Sequence, residues 1–172
     1  MPVYSHSRLS SFEQCPFKYK CRYIDKLKPD FDASIEVVLG KAVHETLEWL
    51  YENVTKKSSI PNLDSVVEHY IARWNANFSS TVKVVSTVLS SKDYLNKGIQ
   101  YIISYYLKHQ PFDDGTLKLE MGIKLDLDQT GKYQMVGFID RLALNKKTGE
   151  YEIHDYKTGS LPSKEKFKED RQ

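Results

Sequence analysis

The hydrophobic period of this chain changes once, near Pro111–Gly115, and that change limits the fold more than any other feature. Before it, apolar residues recur at helical spacing. Leu39, Val43, Leu47, Leu50 and Tyr51 share one face of a helix over 36–54. Val66, Val67, Tyr70, Ile71 and Trp74 do the same over 63–78, and another helix spans 91–109. Ser7 is read as the cap of a short helix ending at Gln14, with Pro16 resetting the chain. Residues 79–91 are rich in Ser, Thr and Val and take no assignment. After the change the period is two. Leu117, Leu119, Met121, Ile123, Leu125 and Leu127 alternate with mostly polar residues, the pattern of a half-buried strand. A second strand over 133–144 is apolar on both faces through Val136, Phe138 and Ile139, which places it in mid-sheet. A third covers 151–157. Gly159 and Pro162 stop it, and Ser163 opens a helix that reaches Gln172 in under about three turns. The order predicts an α/β domain of the α+β kind. Helices come first (1–110), then a three-strand antiparallel meander (115–172), all within one domain over 1–172.

Charge refines this reading. A net charge of +2 says little, but residues 1–28 hold Arg8, Lys18, Lys20, Arg22, Lys26 and Lys28 against Glu13 and Asp25. Phe17, Tyr19 and Tyr23 are threaded among them. Cations with interleaved aromatics suit a single-stranded nucleic acid, through phosphate neutralisation and base stacking. Taken alone, an amphipathic helix with a solvated basic face explains the run better. Two cysteines, Cys15 and Cys21, are too few for a disulfide scaffold or a full zinc site. No apolar run approaches ~18 residues and no signal peptide is evident, so the expectation is a cytoplasmic protein without membrane contact.

The chemistry gathers at Asp140, Asp155 and Lys157. Asp155 and Lys157 lie two apart on one strand and so face the same way. The midpoint between Asp140 and Asp155 falls in the Lys146–Gly149 turn, so a simple hairpin sets the two carboxylates opposite each other. Opposed carboxylates stay ionised together only with positive charge between them, which a divalent cation supplies. Lys157 is then placed to orient a water or steady charge on a phosphate. From spacing alone, a salt bridge between one Lys and two Asp accounts for the same residues equally well.

The segments Gly137-Phe138-Ile139-Asp140-Arg141 and Asp155-Tyr156-Lys157-Thr158-Gly159 resemble the G-x-x-D-R and D-Y-K-T-G signatures of RecB-like nucleases of the PD-(D/E)XK type. Ser7–Tyr23, with Cys15-Pro16, resembles that family's opening helix, and Gly40–His44 its G-x-x-x-H motif. The pieces occur in the family's order and cover nearly the whole chain. The resemblance implies a restriction-endonuclease-like core, with N-terminal helices packed on a mostly antiparallel sheet. It also implies metal-dependent hydrolysis of DNA. His44, Asp140 and Asp155 would hold Mg²⁺ or Mn²⁺ near the Tyr156 carbonyl, with Lys157 as the catalytic lysine. Tyr19 and Arg141 are candidates for substrate contact. Glu120 resembles a glutamate that often precedes the G-x-x-D strand, although an exposed strand charge is the plainer account of it. His44, without the other motifs, would pass for a core histidine. An imidazole beside carboxylates is more at ease with Mn²⁺ than with Mg²⁺.

The sequence departs from the family near its end. Gln172 is expected as the glutamine of a Q-x-x-x-Y motif in substrate contact, with the rest of that helix and a last strand incomplete. A sheet edge left unpaired would be open to self-association. Some relatives hold an iron–sulfur cluster on four cysteines, one near Cys15. Three are missing here, so no cluster is expected in this chain. The first expectation is therefore a DNA nuclease acting on single strands or duplex ends, beside a helicase or another repair or CRISPR protein. The second is an inactive nuclease-fold module that binds nucleic acid or a partner protein. The third is a structural protein whose Asp–Lys cluster is a salt-bridge network.

Overall fold

The computed structural model describes residues 3–159. The elements run β1 (Val3–Ser5), α1 (His6–Gln14), α2 (Pro16–Tyr19), which continues into a π-helical turn (Lys20–Ile24), α3 (Ile35–Lys57), α4 (Leu63–Asn77) and α5 (Ser91–His109). β2 (Thr116–Asp126), β3 (Gln134–Leu144) and β4 (Tyr151–His154) follow. The sheet is mixed, in the order β1-β3-β2 with β4 also on β3. This is an α+β fold consistent with a restriction-endonuclease-like core. The helix expected from Ser163, and Gln172 with it, lie outside the described residues. Contacts gather into two units, one holding 3–30 and 121–139, the other 31–120 and 140–159.

The larger unit is built on α3, α4 and α5. The stripe Leu39, Val43, Leu47, Leu50 and Tyr51 is buried as its spacing predicts, against Val66, Tyr70 and Trp74 of α4 and Ile102 and Tyr106 of α5. Each such side chain contributes about 1.5–3 kcal/mol on leaving water. α5 begins with a capping box. The Ser90 hydroxyl accepts from the Asp93 N–H at 3.4 Å, and the Asp93 carboxylate accepts from the Ser90 N–H at 2.8 Å. A β-carbon at Gly98 of α5 would run into the Tyr70 ring and Leu39, so glycine permits this close helix packing.

Within the same unit β3 and β4 pair antiparallel, from Arg141 opposite His154 to Leu144 opposite Tyr151. The connecting turn fixes this register. The Asn145 side chain accepts from the N–H groups of Lys147 (2.9 Å) and Thr148 (3.2 Å), and Gly149 takes the left-handed φ of 75° the turn demands. Carried one step further, the register sets Asp140 against Asp155, as the sequence predicts. β4, however, ends at His154, short of the expected 157. The Tyr156 N–H donates to the Asp140 carboxylate at 2.6 Å instead of joining the ladder.

In the smaller unit β1 runs parallel to the start of β3, with Val3 opposite Gln134 and Ser5 opposite Val136. The sequence reading has no strand here. Three residues carry no usable period, and a parallel partner lies far along the chain. Ser5, not Ser7, caps α1, its hydroxyl accepting from the Arg8 N–H at 3.3 Å. β3 is the central strand as expected, but Phe138 is 74% exposed, so it is not covered on both faces. Some residues of the N-terminal basic run are already partnered. The Arg8 guanidinium lies 5.3–5.6 Å from the ring centres of Tyr4, Tyr19 and Tyr23, and Lys20 pairs with Asp25 at 2.7 Å.

Candidate active site

α3 has a polar face one residue away from its core stripe. Lys41, His44, Glu45 and Glu48 occupy it at helical spacing, and with Gly40, Val37 and Glu120 they line an open recess of about 390 Å³. Gly40, one turn before His44, lies against Thr158: a β-carbon there would sit 3.5 Å from the threonine hydroxyl. The G-x-x-x-H spacing therefore brings α3 close to the segment after β4 and aims the imidazole into it.

His44 is held by two groups. Its Nε2 is 2.7 Å from the Tyr156 carbonyl oxygen, and its Nδ1 is 3.5 Å from Asp140 Oδ1. A carbonyl only accepts, so Nε2 carries the proton. The hydrogen bond to Asp140 is the main cause that raises the His44 pKa above its ordinary 6.5, against the opposing effect of burial. Asp140 is buried, which by itself would raise its pKa. Hydrogen bonds from His44 and the Tyr156 N–H outweigh this and hold the carboxyl below its ordinary 3.8. Without a cation, the raised pKa favours the imidazolium beside these acids.

Glu120 completes the group. Its backbone has a left-handed φ of 45° in mid-strand, which interrupts the pleat of β2 and is costly for a residue other than glycine. Burial, then the negative charges of Asp140 and Glu48, push its pKa up. Ligand atoms of His44, Glu120 and Asp140 all lie within 4.8 Å of one another. Ligands of one octahedral Mg²⁺ stand about 3–4 Å apart for bond lengths of ~2.1 Å. One imidazole and two carboxylates at this spacing fit a single divalent cation, with Nδ1 as the imidazole's free ligand atom because Nε2 is engaged by the Tyr156 carbonyl. Glu120 is exposed, as its place on the strand suggests, but strand periodicity does not show that it meets His44 and Asp140.

Asp155 does not belong to this group. It is half exposed and pairs with Lys157 at 2.7 Å. Both line a separate recess, against α5. Arg141 is wholly buried, which corrects its assignment to substrate contact. It donates to Asp114 (2.5 Å), Thr116 (3.2 Å) and the Tyr156 hydroxyl (3.0 Å), and its guanidinium lies 4.2 Å from the centre of the Tyr51 ring. Tyr156 is thus anchored at both ends. Arg141 holds the phenol, while Asp140 and His44 hold the backbone. The Asp114–Tyr51 part of this network carries no motif and went unseen in the sequence. Tyr19 lies in the smaller unit, half-buried, its hydroxyl accepting from Arg8 at 3.1 Å. Cys15 caps α2, its sulfur accepting from the Lys18 N–H at 3.4 Å. Gln172 is outside the described residues.

Comparison with known proteins agrees with the motifs. The chain matches the PD-(D/E)XK nuclease superfamily over residues 3–172. It is similar to an ATP-dependent helicase/deoxyribonuclease subunit of Clostridium perfringens strain SM101, with 28% identity over 179 residues. The same subunit of Clostridium kluyveri strain NBRC 12016 is 27% identical over 177 residues. Each alignment covers 91% of this chain and 15% of the relative, so the chain spans about 15% of the length of the curated relatives it matches. No solved structure gives a significant match. Among the described residues, no helix is long and apolar enough to cross a membrane. The family's motifs, in its order and on its fold, make this chain a member of the PD-(D/E)XK nuclease superfamily.

Proposed function

We propose that the chain is a divalent-metal-dependent DNA nuclease. The observation that carries this is the meeting of His44 from α3, Glu120 from β2 and Asp140 from β3 within 4.8 Å, in a member of a nuclease superfamily. His44 through Nδ1, Glu120 and Asp140 would hold Mg²⁺ or Mn²⁺, the Tyr156 carbonyl would orient the imidazole through Nε2, and Asp155 stays with Lys157. When bound, the cation supplies the charge that activates water and offsets negative charge on the phosphate. Lys157 offers its ammonium to the scissile phosphate and the incoming water, and Asp155 steers that ammonium. The buried Arg141–Tyr156 contact keeps the backbone between Asp155 and Lys157 in place. The names of the relatives support DNA as substrate and an ATP-driven helicase as partner.

Labelled single-stranded and duplex DNA, incubated with the purified chain in Mg²⁺, Mn²⁺ or EDTA, tests this reading. Cutting is expected with either metal, at least as fast in Mn²⁺, and none in EDTA. Lys157→Ala should lower the rate by about 10²–10³-fold. A clean preparation that never cuts in either metal overturns the proposal. One other reading is a module that binds DNA without cutting it. That reading expects salt-sensitive binding which survives Asp155→Ala.

A further inference from the structure

The segment Asp155–Thr158 also borders a second recess, of about 310 Å³, against α5. Tyr101, Tyr105, Lys108 and His109 form its α5 wall, one face of that helix at spacings of three, four and seven to eight residues. Val43, Leu47 and Ile102 give it an apolar floor. The Tyr101 hydroxyl donates to the Thr158 carbonyl at 3.2 Å, which ties the two walls together. Tyr105 is fixed from behind: its ring stands edge-on to Tyr156, and its hydroxyl is 2.9 Å from that of Tyr51. The His109 ring stacks on Tyr105 at 4.2 Å, with 22° between the planes. Burial, then the neighbouring cations Lys108 and Arg141, lower the His109 pKa, which favours its neutral ring. Lys108 is exposed and forms no salt bridge among the described residues.

A volume at the lower end of small-ligand sites suits one flat group rather than a helix of nucleic acid. Rigid aromatic rings over an apolar floor are a stacking platform, sequence-tolerant because every base has a π-face. Cations stand on two sides of it, Lys108 on α5 and Lys157 at the D-x-K pair. We propose that this recess takes the base of one nucleotide of the DNA strand, the one beside the phosphate presented to Lys157. The base stacks on the outer face of the His109–Tyr105 pair and Lys108 meets the neighbouring phosphate. This rests on the nuclease reading and adds to it the part of the strand that is gripped. It expects single-stranded or frayed DNA to be preferred, since a paired base cannot enter a recess of this size.

The test is an abasic scan. A short single-stranded oligonucleotide is made with one base removed at each position in turn, and its affinity is measured by fluorescence anisotropy in EDTA, where cutting plays no part. One position should weaken binding about tenfold while the others change little. His109→Ala should weaken the intact strand by a similar factor and erase the dependence on that position, because the base then has lost its partner. Tyr105→Phe, which keeps the ring, should retain it. Lys108→Ala should reduce the salt dependence of binding without moving the sensitive position. A flat scan, or losses from His109→Ala and base removal that simply multiply, overturns the proposal. Because the readout is binding, a protein that grips one base yet never cuts would refute the nuclease reading and leave this site standing. A protein that cuts but gives a flat scan would do the reverse.

Discussion

The His44–Glu120–Asp140 cluster and the Asp155–Lys157 pair lie a few residues apart in the fold, yet they are held by opposite means. The cluster is fixed by protein. Asp140 is buried and receives a backbone N–H, and His44 is clamped between a carboxylate and a carbonyl. The pair is fixed only by itself, with both side chains about half exposed (51% and 53%). Charges that must bind a cation of fixed geometry benefit from a rigid frame, since every degree of freedom frozen beforehand is one not lost on binding. Charges that must meet a mobile phosphate benefit from solvent and reach. The frame extends inward through Tyr156 to Arg141, a charge that never reaches water.

The largest effect should come from that inner charge. Arg141→Met removes the cation from beside Asp114 and the donor to the Tyr156 hydroxyl, leaving Asp114 only the Tyr51 and Thr116 hydroxyls. It should destabilise the fold by about 3–5 kcal/mol, read by denaturant unfolding. A loss under about 1 kcal/mol would mean that the frame is held by packing and not by this ion pair.

Two aspartates sharpen the contrast next. In EDTA, Asp140→Ala removes the acceptor for the Tyr156 N–H and for His44, and should cost about 1–3 kcal/mol. Asp155→Ala removes half of an exposed pair and should cost about 0–1 kcal/mol. Equal costs would erase the distinction between frame and pair.

The smallest effect is with pH. The folded state raises the His44 pKa above 6.5, so its stabilisation is complete below 6.5 and is lost as pH rises through the raised value. It also depresses the Asp140 pKa below 3.8, so that contribution is complete above 3.8 and is lost as pH falls through the depressed value. Metal-free protein should therefore be most stable between about 3.8 and 6.5. Cation binding must displace the His44 proton, so affinity for Mn²⁺ by calorimetry should rise as pH climbs above 6.5. Affinity independent of pH there would remove His44 from the ligand set.

Some of this was legible in the sequence because it is local. The helices over 36–54, 63–78 and 91–109 are long and periodic, and each formed within a few residues of its expected ends. The register that opposes Asp140 and Asp155 follows from the Asn145–Gly149 turn, a matter of a few hydrogen bonds between neighbours. Other features resisted for physical reasons. Alternation in β2 predicts two faces but not what covers them, and Leu117, Leu125 and Leu127 are exposed. Arg141 shows the same limit: as a residue type it suggests phosphate, and only its burial beside Tyr51 and Asp114 gives it an inward role.

The sequence by itself determined the helical scaffold, the hairpin register and, through ordered motifs, the family. Each depends on contacts between near neighbours or on residue types at fixed spacing. Tertiary structure alone decided that Glu120 joins His44 and Asp140, that Asp155 stays with Lys157, and that α5 faces the D-x-K segment across a recess. Those arrangements are set by a kinked strand and by helices closing over long chain separations, where the energy lies in packing that no local pattern encodes.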